Sequence, residues 1–129
     1  MATFLLDTTV IIDTINDKKG RRQFLRDLIQ QGNNLACCPI NVAEVYAGLR
    51  PQEEQNTKTF LRSLDLYPLN WPIAELAGTI KRDHGKKGVS LSLTDCLIAA
   101  VAIHGQLSLL TDNIKDFPSK DLTLYPLPN

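Results

Sequence analysis

No apolar run in the sequence approaches the about 20 residues needed to cross a bilayer, and the N-terminus has no basic leader joined to an apolar stretch and a cleavage site. A cytoplasmic chain with no membrane attachment is expected. Cysteine is scarce: Cys37, Cys38 and Cys96 are odd in number, lack CxxC spacing and lie in apolar runs. That fits buried reduced thiols and argues against a disulfide framework or a zinc site. Net charge is lacking too, since fourteen acids balance fourteen bases. Bulk charge therefore neither predicts nor excludes a nucleic-acid partner, and any attraction to phosphate must come from a local patch or a bound cation. With 129 residues, 43% of them hydrophobic, the chain can bury the interior of one domain but not of two, so residues 1–129 are expected to form a single domain.

What is present is organised around Phe4-Leu5-Leu6-Asp7-Thr8-Thr9-Val10-Ile11-Ile12-Asp13. Residues 3–6 show no polar alternation, as in a strand covered on both faces, and the apolar pattern restarts at helical period after Asp7. Asp7 then stands at the carboxyl end of a strand, the edge where open α/β sheets place ligands. A plain capping role for Asp7, Thr8 or Thr9 at the next helix is the competing explanation.

The rest continues the alternation. Residues 20–32 read as an amphipathic helix, 34–38 as a buried strand, 40–49 and 51–66 as helices, and 66–69 as a short strand. A helix opens near Pro72 and runs out near His84-Gly85. Residues 96–103 are apolar all round, as in a helix buried on every side, with Asp95 in its first turn. Ser92 and Asp95 also have capping-box spacing, so Asp95 has a structural explanation as well. Strands are expected at 106–111 and 122–125. Five strands interleaved with helices give an α/β fold, a three-layer α/β/α arrangement with a central, mainly parallel sheet.

Right-handed crossovers bring the strand carboxyl ends to one edge. Asp7, Glu44, Asp95 and Asp112 can then converge beside the first strand. Glu44 lies off the apolar stripe of its helix, where a solvated glutamate is the ordinary outcome. Converging carboxylates raise one another's pKa unless a cation holds them. Hard oxygen donors suit Mg²⁺ or Mn²⁺, and the chemistry that follows is activation of water for attack on a phosphodiester. Lys81, Arg82, His84, Lys86 and Lys87 form a dense basic segment; they either complement a helix C-terminus or contact phosphates.

The segments Leu5-Leu6-Asp7-Thr8-Thr9, Val42-Ala43-Glu44-Val45-Tyr46-Ala47-Gly48-Leu49, Leu93-Thr94-Asp95-Cys96-Leu97-Ile98-Ala99-Ala100 and Leu110-Thr111-Asp112-Asn113-Ile114-Lys115-Asp116-Phe117 resemble, in order and spacing, the four motifs of PIN-domain ribonucleases of the VapC-like toxin group. The resemblance covers essentially the whole chain. It implies a Mg²⁺- or Mn²⁺-dependent endoribonuclease with Asp7, Glu44 and Asp95 as metal-binding acids and Thr9 and Thr111 as orienting hydroxyls. It also implies a homodimer restrained by a small cognate antitoxin. The chain departs from the pattern in the last motif, where Asn113 occupies the usual place of the acid. That leaves the fourth role open among Asp112, Asp116 and an amide contact from Asn113.

Val42, Tyr46, Leu49 and the helix carrying Phe60 offer an apolar surface for a homodimer. A haloacid-dehalogenase-like phosphatase needs a second Asp two residues after the first, where Thr9 stands. A response-regulator receiver needs an Asp after the third strand, where Leu69-Asn70-Trp71 has none. A non-catalytic RNA- or antitoxin-binding module is the remaining alternative.

Overall fold

Leu5 and its neighbours Phe4 and Leu6 are all buried yet belong to different cores, because successive side chains of a strand point to opposite faces. The computed structural model describes residues 1–128. Its strands are β1 (Thr3–Leu6), β2 (Asn34–Cys37), β3 (Asp65–Leu66), β4 (Ser108–Leu110) and β5 (Thr123–Tyr125), in the order β3-β2-β1-β4-β5 with every adjacent pair parallel. Leu5 pairs in register with Ala36 and Leu109, and these three share one core. Phe4, Leu6, Leu35, Cys37 and Leu110 point into the other.

Helices α1 (Thr8–Ile15), α2 (Arg21–Gln30), α3 (Pro39–Ala47) and α4 (Glu54–Arg62) lie along the crossovers from β1 to β2 and from β2 to β3. They supply Val10, Ile11, Leu25, Leu28, Val45 and Leu61 to the Phe4–Leu6 face. On the Leu5 face lie α5 (Trp71–Lys86) and α6 (Leu93–Gly105), which contribute Ile73, Ala77, Ile80, Ile98 and Val101. Helix α6 is buried at Cys96 and at 98–102, as its unbroken apolar sequence requires. The chain thus leaves β1 toward β2 on one face and reaches β4 from the other. The switch point falls between β1 and β4, the position at which parallel sheets open a crevice.

Several boundaries differ from the sequence pattern, each for a local reason. The third strand is Asp65–Leu66 and not 66–69: Tyr67 makes the last ladder bond, to Cys37 O, and Pro68 has no N–H to continue it. The helix expected over 51–66 divides into a 3₁₀ turn (Pro51–Glu53) and α4. Helix α5 continues to Lys86. The fourth strand is only Ser108–Leu110, because Gln106 takes the left-handed conformation that closes α6, and because the chain turns at Thr111. The fifth begins at Thr123 and not at 122.

Helices α5 and α6 pack lengthwise as a hairpin. The Tyr67 ring, just before α5, lies against Gly105 at the end of α6, while Lys81 Nζ donates to Leu91 O just before α6 begins. The basic end of α5 and the Asp95 end of α6 are therefore the same end of the molecule.

Candidate active site

Asp7 follows the last residue of β1, and its N–H extends the ladder by donating to Leu110 O. Only 5% of it is exposed. Oδ1 accepts from the Thr8 N–H at 2.8 Å and Oδ2 from the Thr111 hydroxyl at 2.7 Å. Asp7 does cap α1, yet it reaches only the adjacent N–H and gives its second oxygen to a residue 104 positions away. Burial pushes its carboxyl above the usual range. The Thr111 hydroxyl and Thr8 N–H oppose that rise, and the charges of Asp95 and Glu44 add to it.

Glu44 sits half-buried on α3, and its Oε1 accepts from the Thr8 hydroxyl at 2.6 Å. Thr8 Oγ1 in turn accepts from Asn41 Nδ2 at 3.1 Å, and Asn41 Oδ1 accepts from the Cys38 N–H at 2.9 Å. Asp95 is half-buried in the first turn of α6, where its N–H donates to the Ser92 hydroxyl at 3.1 Å. Burial raises its carboxyl too. Ser92 acts against the shift, and the charges of Asp116 and Glu44 act with it. Asp116 closes a 3₁₀ turn (Ile114–Asp116) after β4. The fold thus brings Asp7, Glu44, Asp95 and Asp116 within electrostatic reach of one another.

Asp112 goes elsewhere, a correction to the expected four-acid cluster. Its Oδ1 lies 2.6 Å from Arg21 Nη2 and its Oδ2 3.6 Å from Lys19 Nζ. Arg21 is 2% exposed and also donates to Pro128 O at 2.7 Å. The pleat stops at Leu110, so Thr111 turns its hydroxyl to Asp7 while Asp112 swings out to these cations. Asn113 is half-buried, and its N–H donates to Thr111 Oγ1 at 2.9 Å. Thr9 is exposed; Thr8, not Thr9, gives its hydroxyl to an acid of this group. In the basic segment Lys81 is tied to Leu91 O and Arg82 pairs with Asp83, while Lys86 and Lys87 are exposed. The three cysteines are buried and free, and burial pushes the Cys37 thiol up to about 11.

The sequence pattern does not single out Thr8, Asn41 or Arg21. Asn41 carried a signal, an amide side chain three residues after the helix cap, which is capping-box spacing. Thr8 and Thr9 are indistinguishable until the phase of α1 is known. Arg21 looks like any polar residue of an amphipathic helix.

Among the described residues, no three His, Cys, Asp or Glu side chains stand close enough together to enclose a metal ion directly. The donor chemistry nonetheless fits a hard divalent cation. The groups are carboxylates, and none of the ion pairs among the described residues involves Asp7, Glu44, Asp95 or Asp116. Mg²⁺ characteristically keeps several waters, which span carboxylates set further apart than a dry cage allows.

The profile of the PIN domain matches residues 4–121 of this chain. Ribonuclease VapC19 of Mycobacterium tuberculosis is 29% identical over 114 residues, spanning 88% of this chain and 91% of that protein. Ribonuclease VapC10 of the same organism is 31% identical over 114 residues, spanning 88% and 85%. Among solved structures, VapBC2 from Rickettsia felis bound to a DNA fragment from its promoter is similar at a TM-score of 0.84 and 25% identity, covering 95% of this chain and 97% of that one.

Proposed function

The chain belongs to the PIN-domain family, and from that premise we propose that it is an endoribonuclease, the toxin of a toxin–antitoxin pair, dependent on Mg²⁺ or Mn²⁺. Asp7, Glu44 and Asp95 would hold the cation, with Asp116, of the three candidates for the fourth role, as the supplementary acid. The observation that carries this reading is a set of carboxylates at the switch point that have no cationic partner among the described residues, two of which, Asp7 and Asp95, are raised in pKa by burial first and by the neighbouring acids second. Bound there, a divalent cation would stabilise charge on a phosphodiester and lower the pKa of a water.

The chain's own residues divide the remaining work. Thr111 and the Thr8 N–H hold the two oxygens of Asp7, the Thr8 hydroxyl holds Glu44, and Ser92 fixes the turn that bears Asp95. Burial of Asp7 keeps bulk water off one side of the site, where charges act more strongly than in solvent. Arg82, Lys86 and Lys87 stand at the same end of the molecule and suit an RNA backbone. Residues 1–129 act as one nuclease domain in this proposal, and the setting is the cytoplasm. No helix among the described residues is long and apolar enough to cross a membrane.

The antitoxin partner is supported by likeness to the Rickettsia felis complex. A groove of about 630 Å³, lined by Leu25, Ile29 and Phe60 with Arg22, Arg26 and Asp65, includes none of the four clustered acids, and its two cations against one carboxylate suit an amphipathic acidic segment of such a partner. A homodimer through Val42, Tyr46, Leu49 and the helix carrying Phe60 is part of the proposal; Tyr46 is exposed, while Val42 and Phe60 are half-buried against the Phe4–Leu6 face.

The test is cleavage of a defined RNA by the purified chain with Mn²⁺, with chelator, and in a Glu44→Gln variant. Cleavage is expected only for the unaltered chain with metal. RNA binding without cleavage under all three conditions would favour the non-catalytic binding module.

A further inference from the structure

Of the three acids assigned to the cation, Glu44 is the one whose position the backbone does least to fix. Asp7 is short and buried at a strand end, and Asp95 is short and anchored in a capped first turn. Glu44 carries a longer side chain on a helix face where Ala43 and Tyr46 are exposed. Holding it in one geometry costs rotamer entropy, which some other group must offset.

The groups around Thr8 do so in a way that leaves no choice of hydrogen-bond direction. The Cys38 N–H is a backbone donor, so the atom of Asn41 that meets it must be the amide oxygen. The NH₂ of Asn41 therefore faces Thr8, and the Thr8 oxygen must accept. A hydroxyl has a single proton; with its oxygen already engaged by Asn41, that proton is delivered to Glu44 Oε1, at a distance in the range of charge-assisted O–H···O⁻ bonds. Asn41 is fully buried, so water does not compete for either end of its amide.

We infer that Asn41 and Thr8 form a one-way hydrogen-bond relay that makes them positioning residues for Glu44, linking the cap of α3 to the first residue of α1 and aiming the carboxylate at the cation site. The inference rests on the metal-dependent reading above. It assigns Thr8 a second task besides the backbone contact to Asp7, and it gives Asn41 a role beyond its helix cap.

The experiment measures Mn²⁺ dissociation constants by electron paramagnetic resonance of the free ion, with apo melting temperatures alongside, for the unaltered chain, Thr8→Val, Thr8→Ser, Glu44→Gln and the double variant Thr8→Val/Glu44→Gln. Thr8→Val keeps the shape and removes the hydroxyl. It should weaken Mn²⁺ binding about tenfold, in the range for loss of an outer-shell partner of a metal ligand, while Thr8→Ser restores binding to within about twofold of the unaltered chain. In the Glu44→Gln background, Thr8→Val should add no further loss, because its effect passes through the carboxylate. If Thr8→Val fails to fold, Thr8→Ala takes its place in the same cycle. Unchanged Mn²⁺ affinity in a folded Thr8→Val protein, or full additivity in the double variant, would overturn the relay and leave the metal site standing. Absence of Mn²⁺ binding by the unaltered chain would instead overturn the metal reading, and the relay with it.

Discussion

Asp7 accepts hydrogen bonds at both oxygens, and its carboxyl still holds a proton more tightly than an ordinary aspartate, because burial and the nearby acids outweigh those contacts. Asp95 shows the same direction of shift. A folded-state pKa above the unfolded value means that the folded chain binds more protons. The contribution of these two groups to stability therefore falls as pH rises above 3.8 through the raised folded values, and is flat beyond them. Asp7→Asn should accordingly raise the melting temperature of metal-free protein at pH 7, with a difference that shrinks toward pH 3.8, and should abolish cleavage. Melting curves of both proteins across that pH range check it; a lower melting temperature for Asp7→Asn at pH 7 would give Asp7 a structural role. Asp112 is the contrasting acid. Its loss removes the carboxylate partner of the buried Arg21 guanidinium and leaves it the Pro128 carbonyl, at a cost of about 2 kcal/mol, less than the about 3–5 kcal/mol of a fully buried pair, because Asp112 is partly exposed. Urea denaturation of Asp112→Ala should show that loss. Cleavage by the folded Asp112→Ala fraction should exceed that of Asp7→Ala or Asp95→Ala, with Asn113→Ala in between.

Among the elements, the strongest sequence signals marked what the structure contains: the unalternating run before Asp7 is β1, and the apolar stretch after Asp95 is α6. These followed from burial on every face, a property that one segment displays by itself. The ends of elements were harder to read, and the candidate site depends on ends. A fourth strand running through residue 111 would set Asp112 at its carboxyl edge, facing the first strand. The left-handed conformation of Gln106 and the early stop at Leu110 leave no mark in the apolar pattern of 106–111, from which the longer strand is expected. Contacts between Thr8 and Asn41, or between Arg21 and Asp112, join positions far apart in sequence, so no spacing rule exposes them. At this scale the basic end of α5 gives its own prediction. Lys81 is occupied with Leu91 O, whereas Arg82, though paired with Asp83, is exposed like Lys86 and Lys87, so these three are the groups open to phosphate. Their replacement by Ala should flatten the plot of log RNA affinity against log salt by about 2, from about 0.7 per phosphate contact on a single strand. Parallel slopes for the two proteins would confine these residues to helix capping.

For the molecule as a whole, the switch point between β1 and β4 gathers acids from four separate stretches of chain, and the fold holds them in mutual repulsion. A ligand that binds only the folded state adds to its stability in proportion to saturation, about 2.7 kcal/mol at a hundredfold excess over the dissociation constant. A divalent cation at this site should act in that way and also relieve the repulsion. The most direct measurement is the melting temperature of the unaltered chain across a Mn²⁺ titration at pH 7, set against RNA cleavage over the same concentrations. The account predicts that melting temperature rises with Mn²⁺, that cleavage switches on over the range in which the site fills, and that Glu44→Gln blunts both. A melting temperature indifferent to Mn²⁺, or RNA cleavage that persists in chelator, would contradict it.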